Sequence, residues 1–308
     1  MANVCTRISH GLRTLSWVYG ARGARRRLYR GFSLPRLPSS RSMDFALEGV
    51  HVLVTGASGG IGLETSRLFC TLGANVTAHY NTQLEPLKEL LETFPGKLQP
   101  EQADLKQETS VQAMFARISK GTFGPVQVAV VNHGIWPSEC VPVVDLTLDR
   151  WDHLISTNLT SSFLVCRENL RGLVNAEPKV KDKASIVLIG STSGKYGEAG
   201  YADYAASKSA MMYGLTLTLK NEIVKIAPNA RVNCIAPGWV STETALRDFE
   251  MIYRSLATTP LKKTATALEI ANQVAVLSSS TISGHVTGQI IMVDGGMEGT
   301  FLNKPEDL

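Results

Sequence analysis

From Val50 onward, short apolar runs rich in β-branched residues alternate with longer stretches in which apolar positions recur every three or four residues. The first pattern is that of strands buried on both faces, and the second that of helices with one apolar side. It predicts strands at Val50–Thr55, Asn75–Tyr80, Lys97–Ala103, Val126–Asn132, Ser185–Ser191, Ala230–Ala236 and Gln289–Val293. Helices are expected at Gly60–Leu72, Glu85–Thr93, Ser110–Lys120, Leu148–Leu173 and Tyr204–Ile226. Such a rhythm builds an α/β fold, a doubly wound parallel sheet of about seven strands in a single domain, covered by helices on both faces. Right-handed crossovers place every strand's carboxyl end on one edge, and that edge is where such sheets bind ligands.

Charge divides the chain differently. The formal net charge is +4, yet Arg7, Arg13, Arg22, Arg25, Arg26, Arg27, Arg30, Arg36 and Arg41 all precede the first acidic residue, Asp44, so the remainder carries −5. A nucleic-acid surface is therefore not expected of the folded part. We read residues 1–43 as a basic, disordered leader, 44–300 as the globular domain and 301–308 as a short tail. The leader is Arg-rich, contains serine, lacks Asp and Glu and is broken at Pro35 and Pro38. That is the composition of an import presequence. The expected location is the mitochondrial matrix, and the alternative is a cytoplasmic protein with a basic tail. The cysteines Cys5, Cys70, Cys140, Cys166 and Cys234 are scattered and form no ligand cluster, so no metal is expected. No apolar run approaches the roughly 18 residues that cross a bilayer, so no membrane partner is expected.

The chemistry begins after the first strand, at Thr55-Gly56-Ala57-Ser58-Gly59-Gly60-Ile61-Gly62, a glycine-rich turn that opens into a helix. Gly56 permits the tight turn, Gly60 lets backbone approach a pyrophosphate and Gly62 lets helix and strand pack closely, while the helix N-terminus offers N–H groups to the anion. An isolated glycine triplet is often only a structural turn; the flanking strand and helix favour a nucleotide site. Thr-Gly-x-x-x-Gly-x-Gly resembles the single-domain branch of the short-chain dehydrogenase/reductase family, which implies a Rossmann-type fold and a nicotinamide cofactor.

No acidic residue stands in His79-Tyr80-Asn81-Thr82 to hold a ribose 2′-hydroxyl, which favours NADP over NAD, although neither there nor at Ser58 or Gly59 is there an Arg or Lys for a 2′-phosphate. The resemblance assigns the cofactor to Gly56, Ser58, Gly60, Ile61, Gly62, Asp104, Asn132, Gly134, Tyr204, Lys208, Val240 and Thr242. Asp104 matches an adenine-contacting acid, and Asn132 and Gly134 match the tail of an Asn-Asn-Ala-Gly segment in which Val131 and His133 depart from the pattern. Pro237 to Thr242 match the segment at the nicotinamide, and Gly288 to Gly296 the last strand, so the likeness spans residues 50–296.

Tyr204-Ala205-Ala206-Ser207-Lys208 opens a helix with the phenol and ammonium four residues apart on one face. A free tyrosine has a pKa of about 10, and a neighbouring cation favours the phenolate, so Lys208 is expected to tune Tyr204. By itself such a pair is usually surface decoration. Ser191, at the end of its strand, is the third member, and its hydroxyl can bond a substrate oxygen. The family adds Asn158, which there holds a water linking the lysine to solvent; local bracing is the alternative. The set implies hydride transfer between a nicotinamide and a carbonyl or secondary alcohol carbon, as in ketone or 3-oxoacyl reductases. A silent nucleotide-binding sensor of the same fold is the alternative, and it would be expected to have lost one of these residues.

The segment Glu243–Thr264, with Leu246, Phe249, Met251, Ile252, Tyr253 and Leu256, falls where the family keeps a substrate lid. Trp136, Pro137, Tyr196, Glu198 and Tyr201 are further candidates for the cleft. A small-molecule substrate and a homo-oligomer, dimer or tetramer, are the expected partners, the latter by analogy through the two long helices. The sequence names neither the substrate nor the reaction direction.

Overall fold

The computed structural model describes residues 44–242, 253 and 256–299. The leader, the tail and most of the lid segment, including Leu246, Phe249, Met251 and Ile252, lie outside the described residues.

Seven parallel strands form the central sheet: β1 His51–Val54, β2 Asn75–Tyr80, β3 Leu98–Gln102, β4 Val128–Val131, β5 Ser185–Ile189, β6 Arg231–Pro237 and the last strand, Ile290–Val293, here β9. Their spatial order is β3-β2-β1-β4-β5-β6-β9. A two-residue pair, β7 Val240–Ser241 with β8 Ala265–Thr266, lies apart from it. All seven expected strands are present with bounds within two residues of those expected: Asn75–Tyr80 is unchanged and β6 runs one residue further, to Pro237. Strand order reverses between β1 and β4, and the crevice outside that switch point is where the glycine turn emerges.

Helices cover both faces. α1 (Gly60–Thr71), α2 (Lys88–Thr93) and the helix before β9, α10 (Ala267–Ser278), pack on one side. α3 (Glu108–Lys120), α5 (Ser161–Val174) and α9 (Thr216–Ile226) pack on the other. The uniformly apolar strands feed both cores by alternation: Leu53, Ala129 and Val131 face α3 and α5, while Val52, Val54, Val128 and Val130 face α1 and α10. Pro100 sits in β3, an edge strand, where its missing N–H costs no ladder bond.

Two findings depart from the sequence expectation. The stretch Leu148–Leu173 is not one regular helix: α4 (Leu148–Ile155) passes through a π-helical turn, Ser156–Thr160, into α5. Likewise α8 (Ala202–Ser209) passes through Ala210–Leu215 into α9, and α8 begins two residues before Tyr204. Two short π-helical segments of this kind commonly mark functional regions. α10 went unexpected because Ala, Ile, Val and Leu run almost right round it. Its start is nevertheless a capping box, with Thr266 Oγ1 accepting from Glu269 N–H and the Glu269 carboxylate accepting from Thr266 N–H. At its other end the buried Arg231 donates to the carbonyls of Ser278 (2.9 Å) and Ser283 (3.1 Å), a cation at a helix C-terminus.

Candidate active site

The cradle is built around Thr55 and Gly56. Gly56 has φ +64, the left-handed region, and a Cβ there would lie 2.9 Å from His133 Cα. Its N–H donates to His79 Nδ1 (3.1 Å), and Ala57 N–H donates to the His79 carbonyl (2.8 Å). His79 Nε2 therefore carries the proton, which it donates to Ala103 O (3.0 Å). Burial lowers its pKa to about 4. A Cβ on Gly62 would collide with the Gly56 carbonyl and come within 2.7 Å of Asn132 Nδ2. The N-cap of α1 is Gly59, and no side chain caps this helix. Its N–H groups thus open toward the crevice, a fitting seat for a pyrophosphate. Gly60 answers to a second constraint: a Cβ there would meet Thr242 Cγ2 at 2.7 Å, so the segment expected at the nicotinamide packs directly on the phosphate turn. Ser58 and Ile61 are partly exposed beside it.

Gly62→Ala is expected to cost about 1–3 kcal/mol by overpacking and to weaken dinucleotide binding. Thermal melts and a fluorescence titration would read both, and a variant unchanged in both would refute this account of the turn.

Asn132 ties β4 to β1: its N–H donates to Thr55 Oγ1 (2.9 Å) and its Nδ2 to the carbonyls of Thr55 (3.0 Å) and Gly56 (3.2 Å). These bonds hold the end of β4 against the start of the glycine turn. His133 is hydrogen-bonded through both ring nitrogens, to Thr55 Oγ1 (2.8 Å) and Ser161 Oγ (2.7 Å). Burial first, then the charges of His79 and Lys208, hold its pKa well below the ordinary value. Asp104 caps its own turn, Oδ1 accepting from Lys106 N–H (3.1 Å).

Three catalytic candidates meet at the carboxyl end of β5. Ser191 is the N-cap of a short helix, α7 (Thr192–Tyr196), where its Oγ accepts from Ser193 N–H (3.2 Å). The same hydroxyl acts on the Tyr204 phenol. Tyr204 departs from expectation. Burial pushes its phenol up to about 12, the bond to Ser191 pulls it back and the Glu198 charge raises it. Lys208 stands beside the ring. That ammonium lies 5.7 Å from the ring centroid and donates to Ile189 O (2.8 Å), while burial holds its own pKa at about 8. In the protein alone, desolvation outweighs the cation, and Tyr204 is held as a neutral phenol, the form that donates a proton.

Asn158, in the first π turn, is fully buried. Its Oδ1 accepts from Ile135 N–H (2.8 Å) and its Nδ2 donates to Ile135 O (3.0 Å). Its amide therefore braces this loop locally. It fixes the loop Gly134–Trp136, and Gly134 keeps that loop close, since a Cβ there would lie 3.2 Å from Asn158 Oδ1. Val240 is buried in β7, and Thr242 follows it.

Sequence reasoning passed over Asp203 and Arg150. Asp203, fully buried, accepts Tyr204 N–H on Oδ1 (2.8 Å) and Arg150 Nε on Oδ2 (3.0 Å), so an ion pair from α4 clamps the turn carrying the phenol. No pattern signals it, because the partners are 53 residues apart. Trp136 lies in the site as expected, its ring 4.5 Å from those of both Tyr201 and Tyr204. Tyr196 instead donates its hydroxyl to Met297 O (2.7 Å), tying α7 to the turn after β9.

A nucleotide cradle at the switch point, joined to a serine, tyrosine and lysine at the same sheet edge, defines a dinucleotide-dependent oxidoreductase. Residues 56–298 match the family model described as enoyl-(acyl carrier protein) reductase. The chain is 34% identical over 250 residues to an uncharacterised oxidoreductase, YgfF, of Escherichia coli K12, covering 79% of this chain and 98% of that one. It is 31% identical to the 3-oxoacyl-(acyl-carrier-protein) reductase FabG of Chlamydia pneumoniae, over 83% of this chain and 99% of that one. The corresponding FabG of Thermotoga maritima is 32% identical over 82% and 98%. The chain belongs to the short-chain dehydrogenase/reductase family and is an NAD(P)-dependent oxidoreductase acting on C=O or CH–OH groups.

Proposed function

We propose that the protein is an NADPH-dependent reductase of a ketone or 3-oxoacyl group, with Tyr204 as the proton donor. The observation that carries this is the meeting of Ser191, Tyr204 and Lys208 at the carboxyl end of β5, the edge where the cradle opens. The glycine turn and the uncapped start of α1 would hold the pyrophosphate, and Asp104, Asn132, Val240 and Thr242 would hold the remainder of the dinucleotide. When bound, the reduced nicotinamide supplies hydride to the carbonyl carbon. Tyr204 gives its proton to the carbonyl oxygen as negative charge develops there, and the Ser191 hydroxyl stabilises that charge. Lys208, anchored on Ile189 O, keeps a cation beneath the site, where a phenolate left by proton transfer gains most from it.

The preference for the phosphorylated cofactor rests on the end of β2, where Tyr80 and the exposed Asn81 stand in place of a carboxylate. A carboxylate would repel the 2′-phosphate. NADPH is expected to exceed NADH in kcat/KM by about tenfold or more, the worth of one charge-assisted hydrogen bond. Initial rates with both cofactors test this, and a preference for NADH would reverse the assignment. The proposal extends to a dimer or tetramer, supported by exposed Leu148, Phe163, Tyr213 and Val224 on the helices α4–α5 and α8–α9. Import into the mitochondrial matrix is likewise part of it, supported by the composition of residues 1–43.

A further inference from the structure

Tyr204 is held at two points, and both holds come from one stretch of helix. Its N–H lies in the first turn of α8, where backbone donors have no intrahelical acceptor. Asp203 Oδ1 accepts that N–H (2.8 Å), and Asp203 Oδ2 accepts in turn from Arg150 Nε of α4 (3.0 Å). At its ring, Tyr204 meets Trp136 edge-on, with centroids 4.5 Å apart. Trp136 follows Ile135, whose N–H and carbonyl are both bonded to the Asn158 amide, and Asn158 lies in the π turn that continues α4. Arg150 and Asn158 thus reach the same tyrosine from one continuous segment, the first through the main chain and the second through the neighbour of the ring.

Stability alone explains the Arg150–Asp203 pair poorly. Asp203 is fully buried and the Arg150 side chain is only 21% exposed, so both charges are largely withdrawn from water, a cost that their mutual attraction often fails to offset. The contact is a single bond from Nε, and Arg150 Nη2 is buried without an acceptor among the described residues. A pair built for strength sets the guanidinium fork on both carboxylate oxygens. Here one oxygen is given to the Tyr204 N–H instead. A charge-assisted bond to that N–H is short and directional, so it fixes the start of α8 and with it the stem of the phenol. A proton donor works only within hydrogen-bond reach of the oxygen it serves, and a misplacement of about 1 Å can cost about a hundredfold in rate.

We propose that Arg150 and Asp203 are positioning residues for the proton step: the ion pair sets where the Tyr204 phenol stands, and both residues act through Tyr204. This rests on the reductase reading above and adds to it a support that reaches the site from α4. The proton and hydride steps themselves are unchanged.

The test compares Arg150→Met, Arg150→Lys and the double variant Arg150→Met with Asp203→Asn in the full-length protein, assayed with NADPH and either acetoacetyl-coenzyme A or cyclohexanone. The double variant guards against misfolding, since removing both partners leaves no unpaired buried charge, and its melting temperature should stay close to the parent's. Arg150→Met and the double variant are expected to lose about ten- to a hundredfold in kcat, with KM and dinucleotide affinity within about twofold of the parent. Arg150→Lys keeps the cation without the planar fork and should recover part of the loss. In a Tyr204→Phe background the same double substitution should lower kcat by less than about twofold, because a residue that acts through the phenol has nothing left to position. A second readout needs no turnover: in protein carrying isotope-labelled tyrosine, the Tyr204 ring signal, identified by its loss in Tyr204→Phe, should shift or split in Arg150→Met, while that of Tyr80 in β2 stays in place. An unchanged kcat in the double variant, an equal loss with and without the phenol, or an unmoved Tyr204 signal overturns this inference and leaves the reductase reading standing. Should the parent reduce neither ketone, the reductase reading falls, and the Tyr204 signal alone decides the positioning.

Discussion

Tyr204→Phe is expected to lower kcat by about 10²- to 10⁴-fold, the range for loss of a positioned proton donor. The argument depends on how little else the substitution changes. Phenylalanine keeps the ring beside Trp136 and under the Arg150–Asp203 clamp, and Asp203 Oδ1 still receives the backbone N–H of residue 204. Only the phenol oxygen is lost, together with its bond to Ser191. Turnover should therefore collapse while dinucleotide affinity and melting temperature stay close to those of the parent. Single-turnover rates, a fluorescence titration of the dinucleotide and a thermal melt separate these quantities. Retention of more than about a tenth of the activity would mean that the proton comes from another group, since the smallest loss expected of a true donor is about a hundredfold.

Acid should destabilise the fold well before ordinary carboxylates titrate. His51 and His79 are buried, and desolvation lowers each to about 4 from the usual 6.5. The unfolded chain thus binds more protons between pH 6.5 and 4, and stability falls as pH drops through that window. At pH 5 the loss is about 2 kcal/mol for each histidine. Together these amount to a fall of roughly 8–16 °C in melting temperature relative to pH 7 for a domain of this size. The bonding explains why the neutral rings are held. His51 Nδ1 donates to Gly124 O (2.8 Å) while its Nε2 faces Thr77 Oγ1 (2.8 Å), and His79 Nδ1 accepts from Gly56 N–H. A proton on His79 Nδ1 would oppose the Gly56 N–H directly, so dinucleotide affinity should fall in the same window. Melts at pH 7 and 5 check the first effect, and His51→Gln should flatten part of the pH dependence. A melting temperature unchanged between the two pH values would remove the premise.

Much of this was legible before any coordinates. The inner strands β1, β4 and β5 are short, largely apolar and bounded by turns, and their residues record burial on two faces directly. The glycine turn was readable because Gly56, Gly60 and Gly62 each meet a constraint that a side chain would break. Tyr204 and Lys208 were readable because helical geometry alone puts residues four apart on one face. These are local facts, and local facts leave periodic or short-range traces in a sequence.

Tertiary structure decided what those groups do to one another. Lys208 shares a helix face with Tyr204, yet its ammonium is drawn to Ile189 O at the end of β5, and the phenol is governed by burial instead. Asn158 stands at the family's position but spends both amide atoms on Ile135, because a π turn aims it at that loop. His79, Asp203 with Arg150, and Glu198 with Ser193 take their importance from partners on other elements or across an irregular turn. No periodicity encodes such pairings, since they arise only when the chain closes and each buried polar atom must find a partner. The sequence by itself determined the sheet, the cradle and the identity of the reacting side chains; the closed fold determined their protonation and their aim.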